Sequence, residues 1–318
     1  MFKTGIWRPQ DLPRRKTFFG TLRTPAYTLL RTSVPASPDE ISRFEAVIKT
    51  VWLSFGSCRT TYPGRLAEVD RTVDALAVAA FPPDATIEIC DWGVSDALVS
   101  FEWAEPILGR FPNARFTASD LILWFTEARN ESGETLVFEP DGTPLQYIRP
   151  PFVVSLAHPE QWIYPLNRLV ARRGWQAAAV VQWNGVPDPQ PAFHAPWTFR
   201  QIPLIHPSAL DFAARQPRFR ISLHDAFTPL AAPCHILRTM NLLNPAVFGR
   251  DKLAQGLRAA ADSIAEGGLY ILGRTDESQA RTNNVSIFRK TGGGFSVIAR
   301  LGRGSELEDL ALSAIPAT

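Results

Sequence analysis

The chain has 318 residues, 45% of them hydrophobic and 20% charged, with a formal net charge of +2. That length allows one elaborated domain or two, and the composition is that of a globular protein. The near-neutral balance supplies no basic footprint for a nucleic-acid partner, and no run of about 18 uninterrupted apolar residues exists to span a membrane.

Residues 1–36 carry scattered Pro and Arg without periodicity, so an arm over the domain surface is expected. Ser37-Pro38-Asp39-Glu40 is a helix start: Ser37 can cap, Pro38 suits the first helical position and Glu40 can complete a capping box. Ile41, Phe44, Ile48 and Trp52 then share one helical face. Gly56 and Pro63-Gly64 break the chain, and Leu66, Val69, Val73, Leu76 and Ala80 mark a second helix over about 66–80. Arg59 and Tyr62, in the loop between the helices, are candidate lid residues or ordinary loop polar groups.

Ile87 to Cys90 is a short apolar run that reads as a buried strand ending at Asp91. Gly93 and Ser95 predict a tight turn, and Leu98, Phe101, Trp103 and Ile107 supply the apolar positions of a following helix. This layout presents free backbone N–H groups at a helix N-terminus. Ala114 to Ser119 is the next strand, ending at Asp120. An acidic side chain there can accept both hydroxyls of a ribose, or stand as a solvated strand-end carboxylate.

Residues 130–205 interrupt the alternation as an insertion. Glu134 to Phe138, Asp141-Gly142 and Leu145 to Ile148 predict a hairpin, because Asp-Gly tolerates positive φ. Phe152 to Leu156 follows, then a basic amphipathic helix around 159–173 and a segment from Ala177 to Trp183. The helix suits a membrane surface, the cover of a hydrophobic substrate, or packing on its own domain. Pro165 would kink it or delay its start. Trp162, Trp175, Trp183 and Trp197 make the insertion aromatic, as the wall of an apolar ligand site or as its own core.

The alternation resumes with Phe219 to Leu223 and His224-Asp225-Ala226, then Cys234 to Leu237 as a fourth strand with a loop from Arg238 to Asn244. Leu253, Leu257, Ala261 and Ile264 predict a helix ending at Gly267-Gly268, where a glycine can take the left-handed conformation. Leu269 to Gly273 is a strand. Val285 to Lys290 and Phe295 to Leu301 form a hairpin around Thr291-Gly292-Gly293-Gly294, and Leu310 to Ile315 is a further strand. The expected fold is α/β: a Rossmann-like, mostly parallel seven-stranded sheet with a terminal antiparallel hairpin, N-terminal helices over 1–80 and the large insertion within 81–318.

Asp91-Trp92-Gly93-Val94-Ser95-Asp96-Ala97 resembles the acidic-x-Gly-x-Gly-x-Gly first motif of class I S-adenosylmethionine-dependent methyltransferases, with Ser95 and Ala97 where that family usually has glycines. Arg238-Thr239-Met240-Asn241-Leu242 resembles the Arg-Asn-x-Leu segment of chemotaxis receptor methyltransferases, without its leading acid. Helix, Glu-Gly-Gly and strand also resemble that superfamily. The resemblance implies S-adenosylmethionine as cofactor, with Gly93 and Ser95 under the methionine and ribose, Asp91 at the amino group, Asp120 at the ribose, and Asp225 and Ala226 at the adenine. It implies methyl transfer to oxygen or nitrogen of a small-molecule, lipid-like or peptide acceptor, with Arg238 and Asn241 orienting the acceptor and His224 nearest as a base. A non-catalytic binding protein on the same fold stays open. A nicotinamide oxidoreductase fits less well, since Gly93-x-Ser95-x-x-Leu98 departs from its fingerprint.

Five histidines and three cysteines show no metal-ligand spacing. Nucleophile-elbow and phosphate-loop motifs are absent. Cysteines this dispersed, and an N-terminus without a signal-peptide core, suggest a reducing, cytoplasmic location. The sequence leaves oligomeric state open.

Overall fold

The structure is a computed structural model that describes residues 3–14, 16, 22–56, 58–59, 61–158, 164–181, 193–194, 196–278, 281–292 and 294–313. In chain order the helices are α1 (Pro38–Ile48), α2 (Ala67–Ala80), α3 (Leu98–Arg110), α4 (Pro165–Val181), α5 (Pro207–Arg215), α6 (Arg250–Asp262) and α7 (Glu308–Ser313). The strands are β1 (Glu88–Trp92), β2 (Arg115–Asp120), β3 (Trp124–Asn130), β4 (Thr135–Phe138), β5 (Pro144–Arg149), β6 (Phe152–Ser155), β7 (Phe193–His194), β8 (Trp197–Pro203), β9 (Phe219–Leu223), β10 (Cys234–Met240), β11 (Ile264–Asp276), β12 (Thr282–Thr291) and β13 (Gly294–Leu301). No helix among the described residues is long and apolar enough to cross a membrane.

The chain divides into two compact units, one of residues 1–61 and 122–211 and one of residues 62–121 and 212–318. The second holds the expected sheet, in the order β13-β12-β11-β10-β1-β2-β9. The five strands from β11 to β9 are mutually parallel, and β12 runs antiparallel to both β11 and β13. Successive strands step outward from β1 through β2 to β9, then return to the other side of β1 at β10. The strand order therefore reverses between β1 and β10, and open α/β sheets bind ligands at the carboxyl ends flanking such a point. Alternation sends Cys90 and Trp92 to one face, where they join Leu237, Leu257 and Ala260 in a buried cluster. Ile89 and Asp91 go to the other.

The first unit is built on a six-stranded antiparallel sheet, β6-β5-β4-β3-β8-β7. The insertion thus begins at Ile122 rather than at 130. The N-terminal segment belongs to its core instead of forming an arm: Ile6, Leu12, Ala26, Tyr27 and Leu30 pack with Phe44, Phe125 and Ile202. A surface arm was expected because those apolar residues lack periodicity. They are placed singly by turns and by the Ile6–Pro25 bridge. The helix start at Ser37 carries the full capping box with Glu40. Trp52 lies beyond that helix and is exposed.

Four further local readings change. The amphipathic helix starts at Pro165, whose fixed φ suits a first turn, and runs through Val181, so the segment from Ala177 is helical. Residues 159–163 lie outside the described residues. Arg238 to Met240 belong to β10 and not to a loop. The helix before Gly267 ends at Asp262. Gly267 does take positive φ, +78°, but inside the irregular start of β11, where the register with β10 shifts. Leu310 to Ser313 is the end of a helix, α7; its first-turn acids Glu308 and Asp309 favour a helix N-terminus.

Candidate functional site at the strand-order reversal

The turn after β1 has an alternating backbone. Gly93, Ser95 and Ala97 have φ of +71°, +59° and +61°. These are the three positions of the first motif where glycine is usual, and two of them carry a Cβ here. A non-glycine residue held in the left-handed region costs roughly 1–2 kcal/mol. The turn is held by Ser119 at the end of β2, whose carbonyl accepts from Gly93 N at 2.8 Å and Val94 N at 3.2 Å. Ser95 N donates to Asp120 Oδ2 at 2.7 Å. Asp96 Oδ1 accepts from Leu98 N at 3.1 Å at the start of α3. Gly93 is needed for space as well as for φ, because a Cβ there would lie 2.8 Å from Leu242 Cδ1.

Asp91 and Arg238 pair in register across β1 and β10. Arg238 is fully buried and Asp91 is 3% exposed. Arg238 donates from Nε to Asp91 Oδ1 at 3.0 Å, from Nη2 to Asp91 Oδ2, and from Nη1 to Asp70 of α2. Ser100 of α3 donates to Asp91 Oδ2 at 2.6 Å. The guanidinium lies 4.3 Å over the Trp103 ring, whose Nε1 donates to Asp74 at 3.0 Å. Burial pushes the Asp70 carboxyl up to about 7, against the pull of Arg238 and with the help of Asp91, Asp74 and Glu102. Burial also raises Asp74 and Glu102. Burial by itself would lower the pKa of Arg238, but Asp91 and Asp70 outweigh it and hold it raised.

This corrects two expectations. Arg238 does not reach an acceptor, because its guanidinium is enclosed between strand and helices. Asp91 does not face an amino group, because its carboxylate is committed to Arg238 and Ser100. Strand-interior register put both residues below the crevice. Asp70, Ser100 and Trp103 were missed as its partners. The one local signal was a pair of acids, Asp70 and Asp74, bordering the apolar stripe of α2.

The remaining candidates lie at strand ends. Asp120 is half-buried and tied to Ser95. His224 N donates to the Asp120 carbonyl at 3.1 Å, and the His224 ring lies 4.5 Å from that of Trp92. Burial lowers the His224 pKa, with Asp225 opposing. Trp92 Nε1 and His224 Nε2 are buried and have no hydrogen-bond partner among the described residues. Asp225 is exposed, its Oδ1 accepting from Phe227 N at 3.0 Å, and Ala226 is half-buried beside the α6 face. Asn241 has φ +59°, and its side chain holds Thr275 at the end of β11 through Thr275 N at 2.8 Å and Thr275 Oγ1 at 3.4 Å. The structure therefore groups the 93–97 turn, Asp120 and His224, ties Asn241 to β11, and removes Asp91 and Arg238 to the interior. Among the described residues, no group of three His, Cys, Asp or Glu side chains is arranged to hold a metal ion.

Of the candidate lid residues, Arg59 is buried and donates to the Ile122 carbonyl. Tyr62 is half-buried, with Arg65 and Arg281 at 5.6 and 4.6 Å from its ring. Trp197 is buried in the core between α4 and the antiparallel sheet, and Trp175 is 43% exposed. Trp162 and Trp183 lie outside the described residues.

No protein-family model matches the chain, and no curated protein does either. Among solved structures, a S-adenosylmethionine-dependent methyltransferase from Clostridium acetobutylicum matches over 77% of this chain and 78% of its own, at 9% identity and a TM-score of 0.33. An amino pentose methyltransferase from Micromonospora echinaspora, involved in calicheamicin biosynthesis, matches over 78% and 81%, at 13% identity and a TM-score of 0.31. An O-methyltransferase family protein from Burkholderia thailandensis matches over 76% of this chain and 43% of its own, at 10% identity and a TM-score of 0.31. The chain spans 40–43% of the length of three O-methyltransferases that it matches. Likeness at these identities and TM-scores decides nothing about the site, and the functional reading rests on the site's own geometry. By its strand order, with the reversal between β1 and β10, the chain is a Rossmann-like α/β protein.

Proposed function

We propose that the crevice at the carboxyl ends of β1, β2 and β9 binds S-adenosylmethionine, and that the chain methylates oxygen or nitrogen of a small-molecule, lipid-like or peptide acceptor. One observation carries this reading: positive φ at 93, 95 and 97, kept although Ser95 and Ala97 lack the freedom of glycine. Strain of this kind persists where the surroundings over-determine it and gathers at ligand clamps.

The donor set fits the cofactor in part. The backbone of Gly93 and Ser95 would pass beneath it, Asp120 would take the ribose, and Asp225 with Ala226 would meet the adenine. The orphaned Trp92 Nε1 and His224 Nε2 supply a donor and an acceptor at the same edge. Asp91 does not fit, since Arg238 and Ser100 occupy its carboxylate. When bound, the sulfonium supplies an already activated methyl group. The chain's part is then alignment, with a base needed only for an acceptor that must lose a proton. His224, kept neutral by burial, is the side chain for that role. Asn241 would act through the loop it anchors on Thr275.

Calorimetry with S-adenosylhomocysteine tests the reading. Binding to the folded protein is expected, weakened by about 1–3 kcal/mol in Asp120→Ala. Absence of binding to the folded wild-type chain removes the proposal, and preferential binding of a nicotinamide cofactor replaces it.

A second reading is favoured by a specific observation. The closed pair of Asp91 and Arg238 leaves fewer groups at the crevice for chemistry, as suits a binding protein without turnover. Release of S-adenosylhomocysteine in the presence of an acceptor separates the two readings.

A further inference from the structure

Open α/β sheets take ligands at the carboxyl ends of the strands that flank the strand-order reversal. On both sides of β1 this chain fills that place with its own side chains. On the β10 side, Asn241 follows the strand at φ +59°, a left-handed conformation that asparagine tolerates better than most residues. It is held there by Asn241 N, which donates to the Gly273 carbonyl at 2.9 Å, and by Thr275 N, which donates to Asn241 Oδ1 at 2.8 Å. The turn sets Leu242 on Gly93. A Cβ at Gly93 would lie 2.8 Å from Leu242 Cδ1 and 3.0 Å from Leu242 Cβ and Cδ2. The glycine whose bare backbone would admit a ligand is therefore covered by Leu242, which packs on the apolar cluster that holds Trp92.

On the β2 side, Trp92, Ser119 and Ser222 are in register across β1, β2 and β9, so their side chains share one face of the sheet. His224, two residues past Ser222, reaches over the short serines, and its ring lies 4.5 Å from that of Trp92, tilted by 43°. His224 N donates to the Asp120 carbonyl, which fixes the backbone and leaves the side chain to rotate. The ring contact is an imperfect one. Trp92 is 2% exposed, and neither Trp92 Nε1 nor His224 Nε2, both buried, has a hydrogen-bond partner among the described residues. A buried polar group left unpaired costs free energy, and two in one ring contact make that contact easy to better.

We propose that Leu242 and His224 form a two-part plug in the crevice, and that ligand binding displaces both. Turning the His224 ring aside uncovers Trp92 Nε1 as a hydrogen-bond donor, and withdrawing Leu242 frees the Gly93 backbone. The inference rests on the S-adenosylmethionine reading for the identity of the ligand, and adds that the free protein blocks its own site. When the binding-competent state is only partly populated, the apparent affinity is reduced by that fraction. Side chains that hold the closed state therefore lower affinity, which is opposite in sign to side chains that hold the ligand. Binding is the readout rather than turnover, because His224 is also the base of the proposed reaction.

Calorimetry of S-adenosylhomocysteine binding to the full chain and its variants tests the plug. His224→Ala removes the ring from Trp92 and should bind about two- to tenfold tighter than the wild-type chain, the strength of one aromatic contact. Leu242→Ala should bind about fivefold tighter, since less apolar surface must be uncovered to open the site. His224→Phe keeps a ring on Trp92 without a buried ring nitrogen, and should bind more weakly. Urea unfolding would verify that each variant folds, and Leu242→Val reads the same contact with less loss of packing should Leu242→Ala not fold. Unchanged or weaker binding in either truncation, or tighter binding in His224→Phe, would overturn the plug and leave the cofactor reading standing. No binding by the wild-type chain or by any variant would overturn both.

Discussion

Replacing Arg238 with methionine keeps most of the side-chain length and removes the charge from the centre of a buried network. Asp91 would lose both bonds from Nε and Nη2, Asp70 would lose its bond from Nη1, and two carboxylates would face one another with no cation between them. Removing one partner from a buried ion pair costs about 3–5 kcal/mol, because the charge left behind has no solvent. Asp70 moderates this. Its pKa of about 7 already lets it take a proton near neutrality, and loss of Arg238 raises it further. The full penalty is therefore expected at about pH 8, and a smaller one at about pH 5.5, where Asp70 is neutral. Urea unfolding at the two pH values measures both. Arg274→Met, which breaks the exposed pair with Glu306, is the control and should cost no more than about 1 kcal/mol. A loss below about 1 kcal/mol for Arg238→Met at the higher pH, or a larger loss at the lower one, would refute the reasoning.

Other outcomes follow from single features. Asp70 has a folded pKa raised above its unfolded value, so its contribution to stability is present at low pH and is lost as pH rises from about 4 to about 7. Asp70→Asn should flatten that part of the stability profile in denaturant titrations across pH. Ser95→Gly and Ala97→Gly relieve left-handed strain and should leave stability unchanged or raise it by up to about 1 kcal/mol, as a thermal melt would show. Ala75→Gly, at an exposed position inside α2, should instead lose about 1 kcal/mol. Gly174→Ala drives a methyl into Tyr147 and should destabilise by about 1–3 kcal/mol, seen as a lower urea midpoint.

The sequence by itself determined what depends on neighbours along the chain. The Ser37 capping box, the Asp141-Gly142 hairpin, the apolar stripe of α2 and the strand–turn–helix at Asp91 are local patterns, and each lies where its spacing put it. Their order was enough to define a mostly parallel sheet. Tertiary structure decided what depends on register. Asp91 and Arg238 are 147 residues apart, and only the pairing of β1 with β10 sets them side by side, turning two expected site residues into a buried ion pair. The N-terminal segment has no periodicity to reveal its burial, so only the antiparallel sheet on which it packs could place it. At 310–315 an apolar run as short as a strand fits either period; over 310–313 the acids before it together with its packing resolved it as the end of a helix, and 314–315 lie outside the described residues. Positive φ at Ser95 and Ala97 also could not be read from residue type. Neither side chain favours it, and it is imposed from outside the turn by the Ser119 carbonyl and the Asp120 carboxylate at the end of β2.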